Sequence, residues 1–320
     1  MDVPDTDLLE EKASIEYEQR VANERLHHSQ AARANEIDGE VRRVSPTVAA
    51  FQFAVRVYEP FLKERMPHVD LDVHVVEGQA HSHRPLRLLS LGCGTGDAEV
   101  KLARQTSGVL QVTLVDLNPD LLEGAKRAAI AEGLHLEVKA ADINEIQIPP
   151  DSYDFIVCRS SLHHFLELEF VLEQVNRGLA PQGEFLVSGE WIGRRGLQMY
   201  PETQRLAQSI FERLPPRLHL DAYTGATDSE LPNIDHSVNS FEAIRSDEIL
   251  PLLLDRLQPL EYVAYDGLVT PLLDFRYGPN YDMDSEEDRA LVALITLMDI
   301  ELIRSRVLNP TALSGIFTKK

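Results

Sequence analysis

The sequence predicts an α/β fold: a doubly wound sheet with helices on both faces and a helical cap. Three observations predict it. Short apolar runs alternate with helical stretches between residues 86 and 190, and that alternation means parallel crossovers. A glycine loop, Gly92-Cys93-Gly94-Thr95-Gly96, stands between the first run and the first of these helices. After Trp191 the alternation stops, and a polar stretch over 221–239 rich in Asp, Thr, Ser and Asn marks an insertion too long for an ordinary connection.

The elements follow in order. Residues 1–45 are polar, with Leu8, Leu9, Ile15, Val21 and Leu26 spaced for one loose helical stripe. Ser45-Pro46 suits a helix start, and 47–63, with Val48, Phe51, Phe53, Val57, Tyr58 and Phe61, reads as a buried amphipathic helix. Residues 66–85 read as a linker; their histidines, His74, His81 and His83, match no metal-ligand spacing. Leu86–Leu91 is the first strand and 97–105 a short helix. Leu110–Asp116 is the second strand, Pro119 opens a helix to about Glu132, and Gly133 stops it. Leu134–Val138 and Tyr153–Cys158 are the third and fourth strands, followed by a helix over 167–179. Glu184–Gly189 is the fifth strand. Helical pieces over 201–213 and 241–257 belong to the insertion, 260–269 is a sixth strand, 285–306 a strong helix, and Gly315–Thr318 a last short strand.

Composition narrows the function. Lys+Arg number 31 against 52 Asp+Glu, a formal charge of -21. Such a surface repels polyanions, and basic residues cluster only as pairs such as Arg42-Arg43 and Arg194-Arg195, so nucleic acid is not an expected partner. No apolar run approaches a membrane span, and the acidic Met1–Asp5 has no apolar core of a secretory signal. Cys93 and Cys158 lie far apart, without Cys/His ligand spacing. The expectation is a soluble cytoplasmic protein with no metal site.

The glycine loop carries the first chemical signal. Glycines let the backbone turn sharply and approach a ligand, and the helix behind them offers free N–H groups. A dinucleotide fingerprint needs Gly or Ala at the sixth position of the motif. Asp97 stands there, which argues against NAD or FAD. Asp116, twenty residues beyond Gly96, ends the second strand, where a carboxylate can accept from ribose hydroxyls.

At these residues the chain resembles the class I S-adenosylmethionine-dependent methyltransferases. The resemblance runs through Leu88–Gly96, Val115–Pro119, Ala141–Ile143, Tyr153–Cys158, Leu162–Phe165 and Leu179–Phe185. It implies a Rossmann-like sheet of seven strands with the last antiparallel, and S-adenosylmethionine as the cofactor. It implies that Gly92, Cys93, Gly94 and Gly96 lie against the methionine part, that Asp116 takes the ribose hydroxyls and that Leu117 packs on the adenine. Asp142 would accept from the adenine amino group, Ile143 would cover the ring, and Arg159 joins the cofactor-binding set. The insertion segments 191–198, 214–218 and 240–246 resemble a subgroup with a helical insertion after the fifth strand.

The acceptor side is expected at the carboxyl ends of the fourth and fifth strands. His163 and His164 are adjacent there, one structural and one facing the cleft, with the choice left open. Members of the resembled class carry a histidine here that acts as base or orients the acceptor. Glu190 on the same rim would orient an imidazole and raise its basicity. Trp191 would line the acceptor pocket or wedge the insertion onto the core, with the pocket favoured. Glu242 and Arg245, three apart on one helical face, would either pair with each other or reach the acceptor.

The expected organisation is an N-terminal arm and cap over 1–83, a cofactor-binding core over 84–192 and 259–320, and a lid over 193–258. The expected activity is methyl transfer to an oxygen or nitrogen of a small molecule, of secondary-metabolite or sugar type. A protein or peptide methyltransferase and a non-catalytic cofactor-binding scaffold are the rival readings. A homodimer stays open.

Overall fold

The computed structural model describes residues 16–25 and 46–320, with side chains from residue 49 in the second span. Leu8, Leu9, Ile15 and Leu26 of the expected stripe, and Ser45, lie outside the described residues.

Seven strands form one sheet in the order β3-β2-β1-β4-β5-β7-β6. They are β1 Arg87–Leu91, β2 Gln111–Asp116, β3 Leu136–Ala140, β4 Tyr153–Arg159, β5 Leu179–Trp191, β6 Gln258–Tyr265 and β7 Ala312–Thr318. Strands β1 to β5 pair in parallel. Strand β7 inserts between β5 and β6 and is antiparallel to both. Strand order reverses between β1 and β4, so the loops leaving those two strands diverge and open a crevice at their carboxyl ends.

Successive strand residues feed opposite faces. Leu88, Leu114 and Val157 join one hydrophobic layer, with Tyr58, Val75, Leu102, Leu122 and Ile295. Leu89, Val115, Ile156 and Cys158 join the other, with Val171, Val175 and Ile249. The first layer is roofed by α2 (Pro46–Arg65), α3 (Leu71–His81), α4 (Asp97–Gln105), α5 (Pro119–Glu132) and α10 (Glu286–Arg304); the second by α6 (Leu168–Gly178) and α8 (Ser246–Arg256). Both faces being covered explains why β1 and β2 bury residues at successive positions and not in strict alternation. Pro119 opens α5 and Gly133 ends it at φ 64, as expected, while Asn118 caps it by accepting from the Asp120 N–H at 3.0 Å.

The sequence-based expectation fails in two places. Residues 66–85 are not a linker, because 71–81 form α3, capped by Asp70 and burying Leu71, Val75 and Gln79. Its apolar residues, Leu71, Val73, Val75 and Val76, fall on more than one side of the helix and mark no single face. Within the insertion, α7 (Pro201–Phe211) forms, but the helix expected over 241–257 is only α8. Ala243 takes a left-handed φ of 49 just before it, a conformation that no helix can carry through. Residues 16–25 form α1, laid across the carboxyl end of the sheet. A short helix, Val269–Leu273, is α9.

Candidate active site

The crevice holds a cavity at the ends of β1, β2 and β4. Eight of the nine expected cofactor residues line it: Gly92, Cys93, Gly94, Asp116, Leu117, Asp142, Ile143 and Arg159. Gly96 does not. It sits at φ 70 at the start of α4, where a Cβ would lie 2.6 Å from Leu114 Cδ1, so its task is close helix–strand packing.

The glycine loop is held by the strand beside it. The N–H groups of Gly92 and Cys93 donate to the Val115 carbonyl at 2.9 and 3.2 Å. The Gly94 N–H donates to Asp116 Oδ2 at 2.8 Å, and the Asn118 N–H donates to Asp116 Oδ1 at 2.9 Å. The carboxylate is therefore aimed by two backbone donors while its outer edge faces the cavity. Gly94, at φ 56, has nothing within 4 Å of the position a Cβ would take. That open cradle beside an aimed carboxylate fits the methionine and ribose parts of S-adenosylmethionine.

The adenine side is built on the turn after β3. Asp142 Oδ1 accepts from the Asn144 N–H at 2.9 Å. Its Oδ2 accepts from the Tyr17 hydroxyl at 2.5 Å. Burial, and then that carboxylate, push the Tyr17 hydroxyl pKa well up. Arg25 Nε donates to the Leu117 carbonyl at 3.2 Å, and Asn118 Nδ2 to the Arg25 carbonyl at 3.1 Å. So α1 lies along the expected adenine subsite. Arg159 faces the cavity, but its guanidinium donates to Glu99 at 3.0 Å and Asp72 at 2.6 Å. It braces the floor with its charge already compensated.

The acceptor end separates the two histidines. His164 lines the cavity, and His163 is 7% exposed and packed behind it. A bulge in β5, between Val187 and Glu190 with Gly189 at φ 60, turns Glu190 toward the loop after β4. There Glu190, fully buried, accepts from the N–H groups of Ser161, Leu162 and His163 at 2.9–3.0 Å, and meets His163 Nδ1 at 2.5 Å. Glu190 thus orients His163, not the cavity-facing His164. His163 Nε2 lies 3.3 Å from Glu242 Oε1. Burial disfavours charge on His163, but Glu190 and Glu242 outweigh it and raise its pKa to about 10. With a carboxylate at each ring nitrogen, His163 is not a free base. Burial works against the Glu242 charge too, yet the two imidazoles bring its pKa down to about 2.

His164 has its own carboxylate. Its Nδ1 is 2.8 Å from Glu24 Oε1, on α1. Its Nε2 is 3.9 Å from Glu242 Oε2. Glu24 and Phe241 also line the cavity, and the rings of Tyr17 and Phe241 stand 5.5 Å apart. Sequence reasoning misses both Glu24 and Tyr17, since neither carries a signal in a polar arm with weak periodicity.

Three expected assignments are corrected. Trp191 does not line the cavity; its Nε1 donates to the Arg194 carbonyl at 3.3 Å, and its ring packs on Gly193. Arg245 is not an acceptor ligand: it forms paired hydrogen bonds with Glu169 and with Glu248 at 2.6–2.9 Å. Nor do Glu242 and Arg245 pair. The left-handed Ala243 between them turns the two side chains apart, and Glu242 goes to the histidines. Backbone contacts fix this piece of the insertion to the core: the Ile244 N–H donates to the His163 carbonyl at 3.2 Å, and Arg245 Nη1 to the Leu166 carbonyl at 2.8 Å.

Comparison with known proteins agrees with the core. Residues 88–183 match the methyltransferase domain family. The ubiquinone/menaquinone biosynthesis C-methyltransferase of Rhodopseudomonas palustris (strain HaA2) is 30% identical over 105 residues, 32% of this chain and 42% of that one. The demethylmenaquinone methyltransferase of Thermus thermophilus is 32% identical over 103 residues, 32% of this chain and 46% of that one. The chain thus spans less than half the length of these curated relatives. A geranyl diphosphate C-methyltransferase from Streptomyces coelicolor A3(2) aligns over 78% of this chain and 77% of its own, at 18% identity and a TM-score of 0.42. Among the described residues, no helix is long and apolar enough to cross a membrane.

Proposed function

We propose that the chain, whose residues 88–183 match the methyltransferase domain family, transfers a methyl group from S-adenosylmethionine to a small molecule. The observation that carries this is the Gly94–Asp116 pair. A glycine whose missing side chain opens onto the cavity donates its N–H to the carboxylate that would hold the ribose. When bound, S-adenosylmethionine supplies a methyl group on a cationic sulfur, so the acceptor displaces a neutral thioether and gives up one proton. The protein's part is to hold the acceptor in line, worth several kcal/mol by proximity, and to handle that proton.

His164, which lines the cavity, is the group that receives the acceptor, with Glu24 and Glu242 beside its ring nitrogens. His163 and Glu190 hold the turn that presents it. We place the methyl on an oxygen or nitrogen of the acceptor. A carbon nucleophile is the second reading, favoured by the names of curated relatives that are C-methyltransferases. Helix α1 and the 193–258 insertion act as a cap that excludes water from the cavity. Calorimetry with S-adenosylhomocysteine tests the cofactor assignment. Binding is expected; NADH binding in its place would overturn it.

A further inference from the structure

We propose that His163, His164 and Glu242 form a binding site for one divalent first-row transition metal at the acceptor end of the cavity. What the ion does there rests on the methyl-transfer reading; the site itself rests on geometry alone.

The two imidazoles are presented alike. Each has a carboxylate at Nδ1: Glu190 at 2.5 Å for His163 and Glu24 at 2.8 Å for His164. Each turns Nε2 toward the same third carboxylate, Glu242, at 3.3 and 3.9 Å. An imidazole that ligates through one nitrogen while the other donates to a carboxylate is the arrangement that fixes the tautomer and strengthens a metal ligand. Here two consecutive residues adopt it around one point.

The spacing suits an ion. One ligand atom from each of His163, His164 and Glu242 lies within 4.8 Å of the others. Bonds of about 2.1 Å to a tetrahedral or octahedral ion put neighbouring donors about 3.0–3.4 Å apart. The 3.3 Å from His163 Nε2 already falls in that range, and the 3.9 Å from His164 Nε2, to the other Glu242 oxygen, must shorten by about 0.5 Å. Two imidazoles and one carboxylate suit Mn, Fe, Co, Ni or Zn, whereas Mg and Ca prefer all-oxygen sites. Three protein ligands leave coordination positions open for an acceptor.

Charge points the same way. Glu24, Glu190 and Glu242 gather around two imidazoles at the end of a crevice. A divalent cation there would offset most of the charge of these three carboxylates. Its rival is a proton held between His163 and Glu242. The framework is rigid: Glu190 is fixed by three backbone N–H groups, and the stretch of insertion carrying Glu242 is tied to the His163 carbonyl. Bound there, an ion would hold an acceptor oxygen or nitrogen and favour loss of its proton. That selects an acceptor with a hydroxyl or similar donor able to coordinate.

The test uses the full chain, stripped with a chelator and dialysed. Titration with Zn²⁺ by calorimetry, and with Co²⁺ by visible absorption, should show one ion per chain with Co²⁺ bands of nitrogen–oxygen ligation. Glu242→Gln should lose that binding while staying folded by circular dichroism, with a lowered melting temperature from the lost pair with His163. Glu24→Gln should weaken it by about 10–100-fold, the effect of losing an outer carboxylate. No uptake by the parent protein, or uptake unchanged in Glu242→Gln, overturns the proposal. S-adenosylhomocysteine binding measured on the same samples separates the two readings. A protein that binds it but no metal keeps the methyltransferase assignment and loses this one; a protein that binds metal but not S-adenosylhomocysteine does the reverse.

Discussion

The hydroxyl of Tyr17 donates to the carboxylate of Asp142 at 2.5 Å, joining α1 to the turn after β3 across 125 residues of sequence. The N-terminal helix therefore rests on the residue expected to recognise the adenine. A hydrogen bond to a charged partner contributes about 1.5–3 kcal/mol. Tyr17→Phe should speed amide exchange in residues 16–25 by about tenfold or more while leaving α5 and the sheet protected. Unchanged exchange there would show that α1 is held by its other contacts alone.

The cofactor loop makes two opposite predictions for neighbouring glycines. A methyl at Gly94 meets no protein atom. Gly94→Ala should fold, at a cost of about 1 kcal/mol for the positive φ, and lose S-adenosylhomocysteine affinity. A methyl at Gly92 would lie 2.7 Å from the Ser161 Cβ, so Gly92→Ala should lower the melting temperature. Asp116→Ala should keep its fold and weaken binding by about 1.5–3 kcal/mol. Calorimetry beside thermal melts distinguishes the three.

The two histidines should fail differently. His164→Ala should slow single-turnover methyl transfer by about 10²–10⁴-fold, with cofactor binding kept. His163→Ala leaves the buried Glu190 without its partner, a loss of about 3–5 kcal/mol for a broken buried pair. Its first symptom should be instability. If His164→Ala retains rates within a few-fold of the parent, alignment alone carries the reaction.

A pH effect on stability should come from far outside the site. Asp299 on α10 is fully buried beside Asp266 and takes hydrogen bonds from the Tyr58 hydroxyl and the Gly267 N–H. Burial first, then the Asp266 charge, raise its pKa to about 7. The folded state holds this proton more tightly than the unfolded chain does. Its contribution is therefore complete below about pH 4 and is lost as pH rises through about 7. Urea unfolding should show a less stable protein at about pH 8 than at about pH 5.5, and Asp299→Asn should flatten the difference.

Much of the core is legible in the chain itself. The runs 86–91 and 110–116 read as strands because parallel strands covered on both faces need continuous apolar sequence. Pro119 and Gly133 announce the limits of α5 because helix starts and stops are local chemistry. Helix α3 is not legible, since its capping residue stands among other polar residues and its buried face is only Leu71, Val75 and Gln79.

The alternation of strand and helix, and the placing of the glycine loop, Asp116 and Asp142 at or just beyond strand ends, follow from the order of residues, because each is set within a strand–turn–helix unit. Which histidine faces the cavity, and which carboxylate serves it, follows only from how distant segments pack. That choice depends on a bulge at Gly189, a left-handed turn at Ala243 and a helix more than a hundred residues away, which brings Glu24 to His164. Long-range pairings of this kind leave no periodic trace in the chain. They arise because buried imidazoles and carboxylates must find partners once the packing has set where they lie.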